Sequence, residues 1–156
     1  MTATLNSGMP EGLRRWVAVF EQLSPQALET LEEAVTADVR FCDPFHDVRG
    51  VAAVRQILQQ TVTHAPDARF TVHGVAQPDP QTAYLHWTMT ATVPVLGPWT
   101  VTGMSVVTLA PDGRVAAHVD HWDASVQFYQ RLPVIGGLLA RLRRTVARRM
   151  TGTGPH

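Results

Sequence analysis

Apolar positions follow two rhythms along this chain. In its first part they recur at steps of three and four, the spacing of one helix face. In EGLRRWVAVFEQL, just after Pro10, Leu13, Trp16, Val17 and Phe20 share such a face. SPQALETLEEAV predicts a second helix, with Ser24 as N-cap and Pro25 at the first helical position. DVRFCDP is a short extended piece ended by Pro44, which disfavours helix at Asp43. GVAAVRQILQQTVTH predicts a third helix, with Val51, Val54, Ile57, Leu58, Thr61 and Val62 on one side.

After Pro66 the rhythm becomes alternation. ARFTVHGVAQ, TAYLHWTMTATV, WTVTGMSVVTLA and RVAAHVDHWD are rich in β-branched and aromatic residues and predict four strands. PDPQ, PVLGP and PDG between them carry turn chemistry, so consecutive strands pair antiparallel. Three helices followed by an antiparallel meander is an α+β arrangement. FYQRLPVIGGLLARLRRTVARRM then predicts a short helix, a Pro-Gly interruption and an added arginine-rich C-terminal helix. There is no internal repeat or second domain: residues 1–150 read as one domain and 151–156 as a disordered tail.

Composition narrows the function classes. A chain of 156 residues, 45% hydrophobic and 17% charged, is long enough to bury a real core and is not of disordered type. Its formal charge is zero, but all 13 acids lie at or before Asp123 against seven arginines there, giving −6. The remainder carries six arginines and no acid, giving +6. The chain has no lysine, which excludes Schiff-base chemistry on lysine. A single cysteine, Cys42, suits a reducing compartment. No apolar run precedes the first charges and none approaches a membrane span, so the expected location is cytoplasmic.

One strand poses a question. In GRVAAHVDHWDASV, strict alternation puts Arg114, Ala116, His118, Asp120 and Trp122 on one face, and Val115, Ala117 and Val119 on the other. Hydropathy alone buries the valines and leaves His118 and Asp120 in water. Trp122 then stands on the wet face, unless that face lines a pocket.

The order helix, helix, RFCDPFHDVRG, helix, and four strands ending DGRVAAHVDHWD resembles the nuclear transport factor 2-like superfamily over residues 11–130. That group includes SnoaL-like polyketide cyclases, ketosteroid isomerases and limonene epoxide hydrolases. The resemblance implies a cone-shaped, curved antiparallel sheet packed against three N-terminal helices, with a deep hydrophobic pocket on its concave face. It puts His118, Asp120 and Trp122 in that pocket and the valine face on the convex side, through which members dimerise.

The resemblance also supplies candidate roles. Asp43 of FCDPF matches the general base of the isomerases; the bland alternative is a turn residue bonding nearby amides. Trp16 and Ser105 stand where the isomerases carry a tyrosine and a protonated aspartic acid, so the usual steroid isomerase is disfavoured. Asp120 matches a catalytic acid of the limonene epoxide hydrolases. The Arg and second Asp those enzymes need are replaced by His86 and Thr88, or by Trp87 and Met89 if the register slips. The implied function is acid–base catalysis, isomerase- or cyclase-like, on a small apolar carbonyl compound. Asp43 is the expected proton acceptor, with His118 and Asp120 as a second proton carrier. Trp16, His86, Thr88, Trp99, Ser105 and Trp122 are the expected ligand-binding residues. The alternative is a non-catalytic ligand-binding module of the same fold.

No cofactor and no metal are expected. His86, His118 and Asp120 are the one combination resembling a two-His-one-carboxylate set, without supporting spacing. His64, His73 and His156 read as surface histidines, and His46 as a solvated loop histidine with the pocket entrance as the alternative. In the tail, Leu138, Leu139, Leu142 and Val146 form an apolar stripe among arginines. The favoured reading packs that stripe on the sheet or on a second subunit, with membrane-surface contact second. The tail has no aromatic residue for base stacking, so no nucleic acid is expected. The expected partners are a small apolar ligand and a second copy in a homodimer.

Overall fold

The computed structural model of the protein describes residues 8–94 and 96–150. Helix α1 (Glu11–Glu21) forms as its spacing predicts and buries Leu13, Trp16, Val19 and Phe20. The second predicted helix is cut short. Ser24 Oγ accepts the Ala27 N–H and opens a 3-10 turn over Gln26–Leu28, and only one α turn follows, α2 (Leu31–Ala34). The cause is tertiary: Arg55, from α3 (Val51–His64), donates to the Leu28 carbonyl at 2.6 Å and pairs with Glu32. It takes the acceptor that a continuous helix would have used.

Strand β1 (Val35–Cys42) turns through Asp43–His46 into a short β2 (Asp47–Arg49), which periodicity did not reveal. β3 (Arg69–Asp79), β4 (Thr82–Val93), β5 (Gly97–Leu109) and β6 (Val115–His121) form the expected meander. The sheet order is β2-β1-β6-β5-β4-β3. Every pair is antiparallel except β1 with β6, which is parallel, a departure from the all-antiparallel expectation. β1 arrives from the helical half of the chain and inserts beside the last strand. Register breaks at Val35/Arg40, Val72/Gly74 and Thr108/Leu109 curve the sheet without closing it.

One of those breaks decides the question posed by β6. Leu109 pairs with Val115 and Thr108 with Ala117, so Ala116 is the extra residue of a bulge. The bulge turns Val115 inward, and it is buried together with His118. Strict alternation therefore fails at Val115, while Ala117 and Val119 stay half-buried on the other face. Helix α1 crosses the concave side, with Trp16 completely buried.

Past β6 the chain turns back over the open end of the cone. Asp123 caps α4 (Ala124–Gln127) by accepting the Val126 N–H, and a 3-10 turn covers Tyr129–Arg131. Helix α5 (Ile135–Met150) packs on that turn. Gly136 lies so close to the Gln130 carbonyl that a Cβ there would collide with it. Ala140 and Ala147, at helical spacing from Gly136, line the crevice beside Gln130. The small-residue face thus makes the contact, and of the apolar stripe Leu138, Leu142 and Val146 are exposed while Leu139 is half-buried. Among the described residues, no helix is long and apolar enough to cross a membrane. The 151–156 tail expected to be disordered, and His156 with it, lie outside the described residues.

Candidate functional site

The concave face and its covering helices leave a cavity of about 240 Å3. An apolar cavity of about 150 Å3 holds benzene, so this one suits a ligand of roughly ten non-hydrogen atoms. Phe20, Phe70, Trp87, Met89 and Val101 line its depth, and Phe45, Trp99 and Trp122 its other end. The ionisable side chains among its walls are Asp43, His46 and Asp120. A recess of about 20 Å3 continues past Phe20, Phe70 and Trp87 to His118 and Asp120, with room for about one water.

A hydrogen-bonded chain fixes the inner carboxylate. The Trp16 indole N–H donates to His118 Nδ1 at 2.9 Å. An indole can only donate, so Nδ1 holds a lone pair and the imidazole proton sits on Nε2. Nε2–H in turn meets Asp120 Oδ1 at 2.7 Å. From the other side, the Ser105 hydroxyl donates to the same Oδ1 at 2.5 Å and accepts the Trp87 indole N–H at 2.7 Å. Asp120 Oδ2 has no partner among the described residues, and Asp120 lines the cavity. One oxygen is anchored twice; the other is open.

The fold explains each member. Ser105 and Asp120 are directly paired on β5 and β6. Trp87 faces Gly103 across β4 and β5, where an added Cβ would come within 2.6 Å of the Trp87 ring and 3.1 Å of Trp122 Cβ. Glycine there makes room for both indoles. The His118 ring stacks on Phe41 at 5.2 Å and on Phe20 at 5.4 Å, which holds its plane.

Asp43 also lines the cavity, but as a turn residue. Its Oδ1 accepts the backbone N–H of Phe45 at 2.7 Å and of His46 at 2.6 Å. His46 Nδ1 lies 3.0 Å from Oδ1 and 3.1 Å from Oδ2, which occupies both oxygens. His46, read from sequence as a solvated loop histidine with the pocket rim as the alternative, is exposed and lines the cavity.

Other expected site residues separate. His86 and Thr88 lie on the outer face, where His73 Nε2 meets Thr88 Oγ1 at 2.9 Å and the His73 and His86 rings are 5.2 Å apart. The register that holds is the other one, with Trp87 and Met89 facing in. His86 is therefore across the sheet from His118 and Asp120, and no three metal-ligating side chains converge among the described residues. Trp16 and Ser105 are fully buried and do not line the cavity; Trp16 bonds His118, and Ser105 bonds the wall residues Asp120 and Trp87. Of the expected ligand-binding residues, Trp99 and Trp122 line the cavity.

The aromatic end of the cavity was not legible as a unit. Phe45 lies 5.1 Å from Phe128 and 5.6 Å from Trp122, and Trp99 lies 5.4 Å from Phe128. The segment carrying Phe128 is tied down by Gln127. Its backbone carbonyl accepts the Trp99 indole N–H at 2.7 Å, and its side chain bonds the Thr102 N–H and carbonyl at 2.8 and 3.0 Å. Gln127 thus completes the β5 hydrogen bonding where β6 has already ended. The walls hold no arginine among the described residues, so the Arg-assisted arrangement of the limonene epoxide hydrolases is not assembled.

A sequence model of the SnoaL-like domain matches residues 13–118. No curated protein matches the chain significantly. Among solved structures, the chain is similar to a hypothetical protein with a ketosteroid isomerase-like fold from Catenulispora acidiphila, in complex with trimethylamine. The identity is 16% and the TM-score 0.66, over 80% of this chain and 95% of that one. An LEH-like epoxide hydrolase from M. tuberculosis is 19% identical, with TM-score 0.62, over 86% of this chain and 96% of that one. A nuclear transport factor 2-like protein of unknown function from Burkholderia pseudomallei is 18% identical, with TM-score 0.63, over 75% of this chain and 94% of that one. Likeness at such identities shows the fold alone.

Proposed function

The chain belongs to the SnoaL-like family, and from that premise we propose that it is a pocket enzyme performing acid–base chemistry on a small, largely apolar carbonyl compound. Asp120 is the group that takes and returns the proton. The observation that carries this reading is the unequal state of its two oxygens, Oδ1 anchored by His118 and Ser105 and Oδ2 open. A carboxylate fixed in orientation inside an apolar cavity is equipped for proton abstraction next to a carbonyl.

In that step Oδ2 takes a proton from the carbon beside the carbonyl, and the electron pair moves onto the carbonyl oxygen as an enolate. The carboxylic acid so formed returns the proton to the same carbon or, in a conjugated substrate, to another. His118 and Ser105 keep their bonds to Oδ1 throughout. His118 acts as a positioning residue, because its Nδ1 is already engaged by Trp16. The Trp122 indole N–H, which has no partner among the described residues, is the donor available to the enolate oxygen. Asp43 shapes the turn and orients His46.

The test is exchange of the α-protons of a cavity-sized enolisable ketone, 2-tetralone, for deuterium in D2O, followed by proton NMR. Acceleration by the protein, reduced about 10²- to 10⁴-fold in Asp120→Asn, is the expected result. If 2-tetralone and related ketones quench the Trp99 and Trp122 fluorescence but exchange no faster than in buffer, the protein is a ligand-binding module.

A further inference from the structure

Among the described residues nine large apolar side chains are exposed, and seven of them form one run: Phe45, Tyr129, Val134, Ile135, Leu138, Leu142 and Val146. Tyr84 and Met104 are the other two. The run begins at the aromatic end of the cavity, where the rings of Phe45 and Tyr129 are 6.4 Å apart. It then follows the 3-10 turn onto α5, which packs on that turn. On α5 the exposure is large, 70% at Leu138 and 59% at Leu142. These positions fall at helical spacing and form a single stripe.

The charged residues of α5 are all basic. The helix carries Arg141, Arg143, Arg144, Arg148 and Arg149 and no acid. Arg143 and Arg141 flank the stripe on its two sides. Neither they nor Arg144 enter an ion pair among the described residues, although eight other pairs occur in the molecule. A helix about 24 Å long with that composition does not cross a membrane. Nor does it suit a helix-to-helix dimer, since pairing two such stripes brings two rows of arginines together with no carboxylate on either helix to answer them.

We propose that α5 lies on an anionic lipid surface, its leucine stripe in the acyl boundary and its flanking arginines on the phosphates. An exposed apolar stripe and an unanswered cationic border are the two features such a surface recognises. The continuity of the run sets the aromatic end of the cavity beside the lipid. Passage of an apolar ligand from lipid to cavity is a corollary that rests on the pocket reading; lipid binding itself does not.

The test is sedimentation of the full chain with vesicles of phosphatidylcholine, with and without phosphatidylglycerol, alongside sedimentation velocity of the protein alone. Binding is expected only to the vesicles containing phosphatidylglycerol. Replacing Arg141, Arg143 and Arg144 together by glutamine lowers it roughly 100-fold, and replacing them by lysine preserves it. Leu138→Glu with Leu142→Glu lowers it at least roughly 100-fold. Because Leu138 and Leu142 are exposed, both variants keep the wild-type circular dichroism. Equal binding to both vesicle types, or no binding to either, overturns the proposal. So does a dimer that the leucine variant dissociates while vesicles remain unbound, which makes the stripe a contact between copies of this chain.

Discussion

Asp120 lies on β6 with its Oδ1 held by two side chains, themselves held by two tryptophans on α1 and β4. Asp43 lies in the turn after β1, and its oxygens are taken up by Phe45 and His46 of its own turn. Both carboxylates line the same cavity. The difference lies in which elements hold them. Around Asp120 one partner, His118, is its neighbour on β6, but Ser105, Trp16 and Trp87 come from β5, α1 and β4, distant in sequence and buried, so the network exists only in the folded state. Around Asp43 the partners are local, and the same Asx-type turn can form wherever the sequence allows it. A carboxylate braced by the whole fold with one oxygen left open is poised to act on a ligand; one spent on its own loop is poised to shape that loop.

Changes at the braced end are expected to have the largest effects. Trp16→Ala removes a fully buried indole and should destabilise the protein by about 3–5 kcal/mol in urea unfolding. Trp16→Phe isolates the hydrogen bond: it leaves His118 Nδ1 buried without a donor, at about 1–3 kcal/mol. The ring nitrogens of His118, read by 15N NMR, should report the Nε2–H tautomer in the wild type and keep it in Trp16→Phe, because Asp120 still accepts from Nε2. An Nδ1–H tautomer in the wild type would break the assigned chain of donors.

Ser105→Ala strips Asp120 of one donor and the Trp87 indole of its acceptor. A loss of about 2 kcal/mol is expected, again by urea unfolding. At the other end, Asp43→Ala deletes only a turn anchor, and about 1 kcal/mol is expected. A loss at Asp43 larger than at Ser105 would reverse the comparison. Gln127→Ala, which unties the segment bearing Phe128, should change global stability by about 1 kcal/mol or less. Faster amide exchange at Thr102 is its sharper signature.

The smallest effect concerns a third carboxylate, exposed and close to the Asp43 turn. The Arg40 guanidinium, bonded to both oxygens of Asp47 at 2.8 Å, holds that carboxyl below the usual carboxylate range. A lowered folded pKa means that the contribution is present above the unfolded value of about 3.9 and is lost as pH falls through the lower folded value. Asp47→Asn should therefore flatten the acid limb of stability below about pH 4 and leave the neutral region almost unchanged. Parallel acid limbs in the two proteins would contradict that pairing.

Much of this arrangement was legible in the sequence, for identifiable reasons. Helical spacing located α1 and α3, and alternation located β3 to β6, because those elements bury one continuous face. His118 ran against hydropathy, and the Trp122 on its strand was the clue that this face is enclosed. Three things were not legible. The choice between His86 and Trp87 as the inward residue depended on the pairing of Trp87 with Gly103 on another strand. The shortening of the second helix depended on Arg55, which reaches it from α3. The aromatic end of the cavity joins Phe45 to Phe128 and Tyr129 from opposite ends of the chain, and no local pattern brings them together. The turn alternative weighed for Asp43 foresaw the backbone amides that engage it, whereas the contact with the His46 ring left no mark in the sequence.

The measurement that tests the central claim most directly is α-proton exchange of 2-tetralone in D2O with wild type, Asp120→Asn and Asp43→Asn side by side. Both substitutions keep the side-chain shape and remove one carboxylate. The account predicts that Asp120→Asn loses at least about 100-fold in the exchange rate, while Asp43→Asn stays within about tenfold of wild type. Loss of exchange in Asp43→Asn with retention in Asp120→Asn would contradict it.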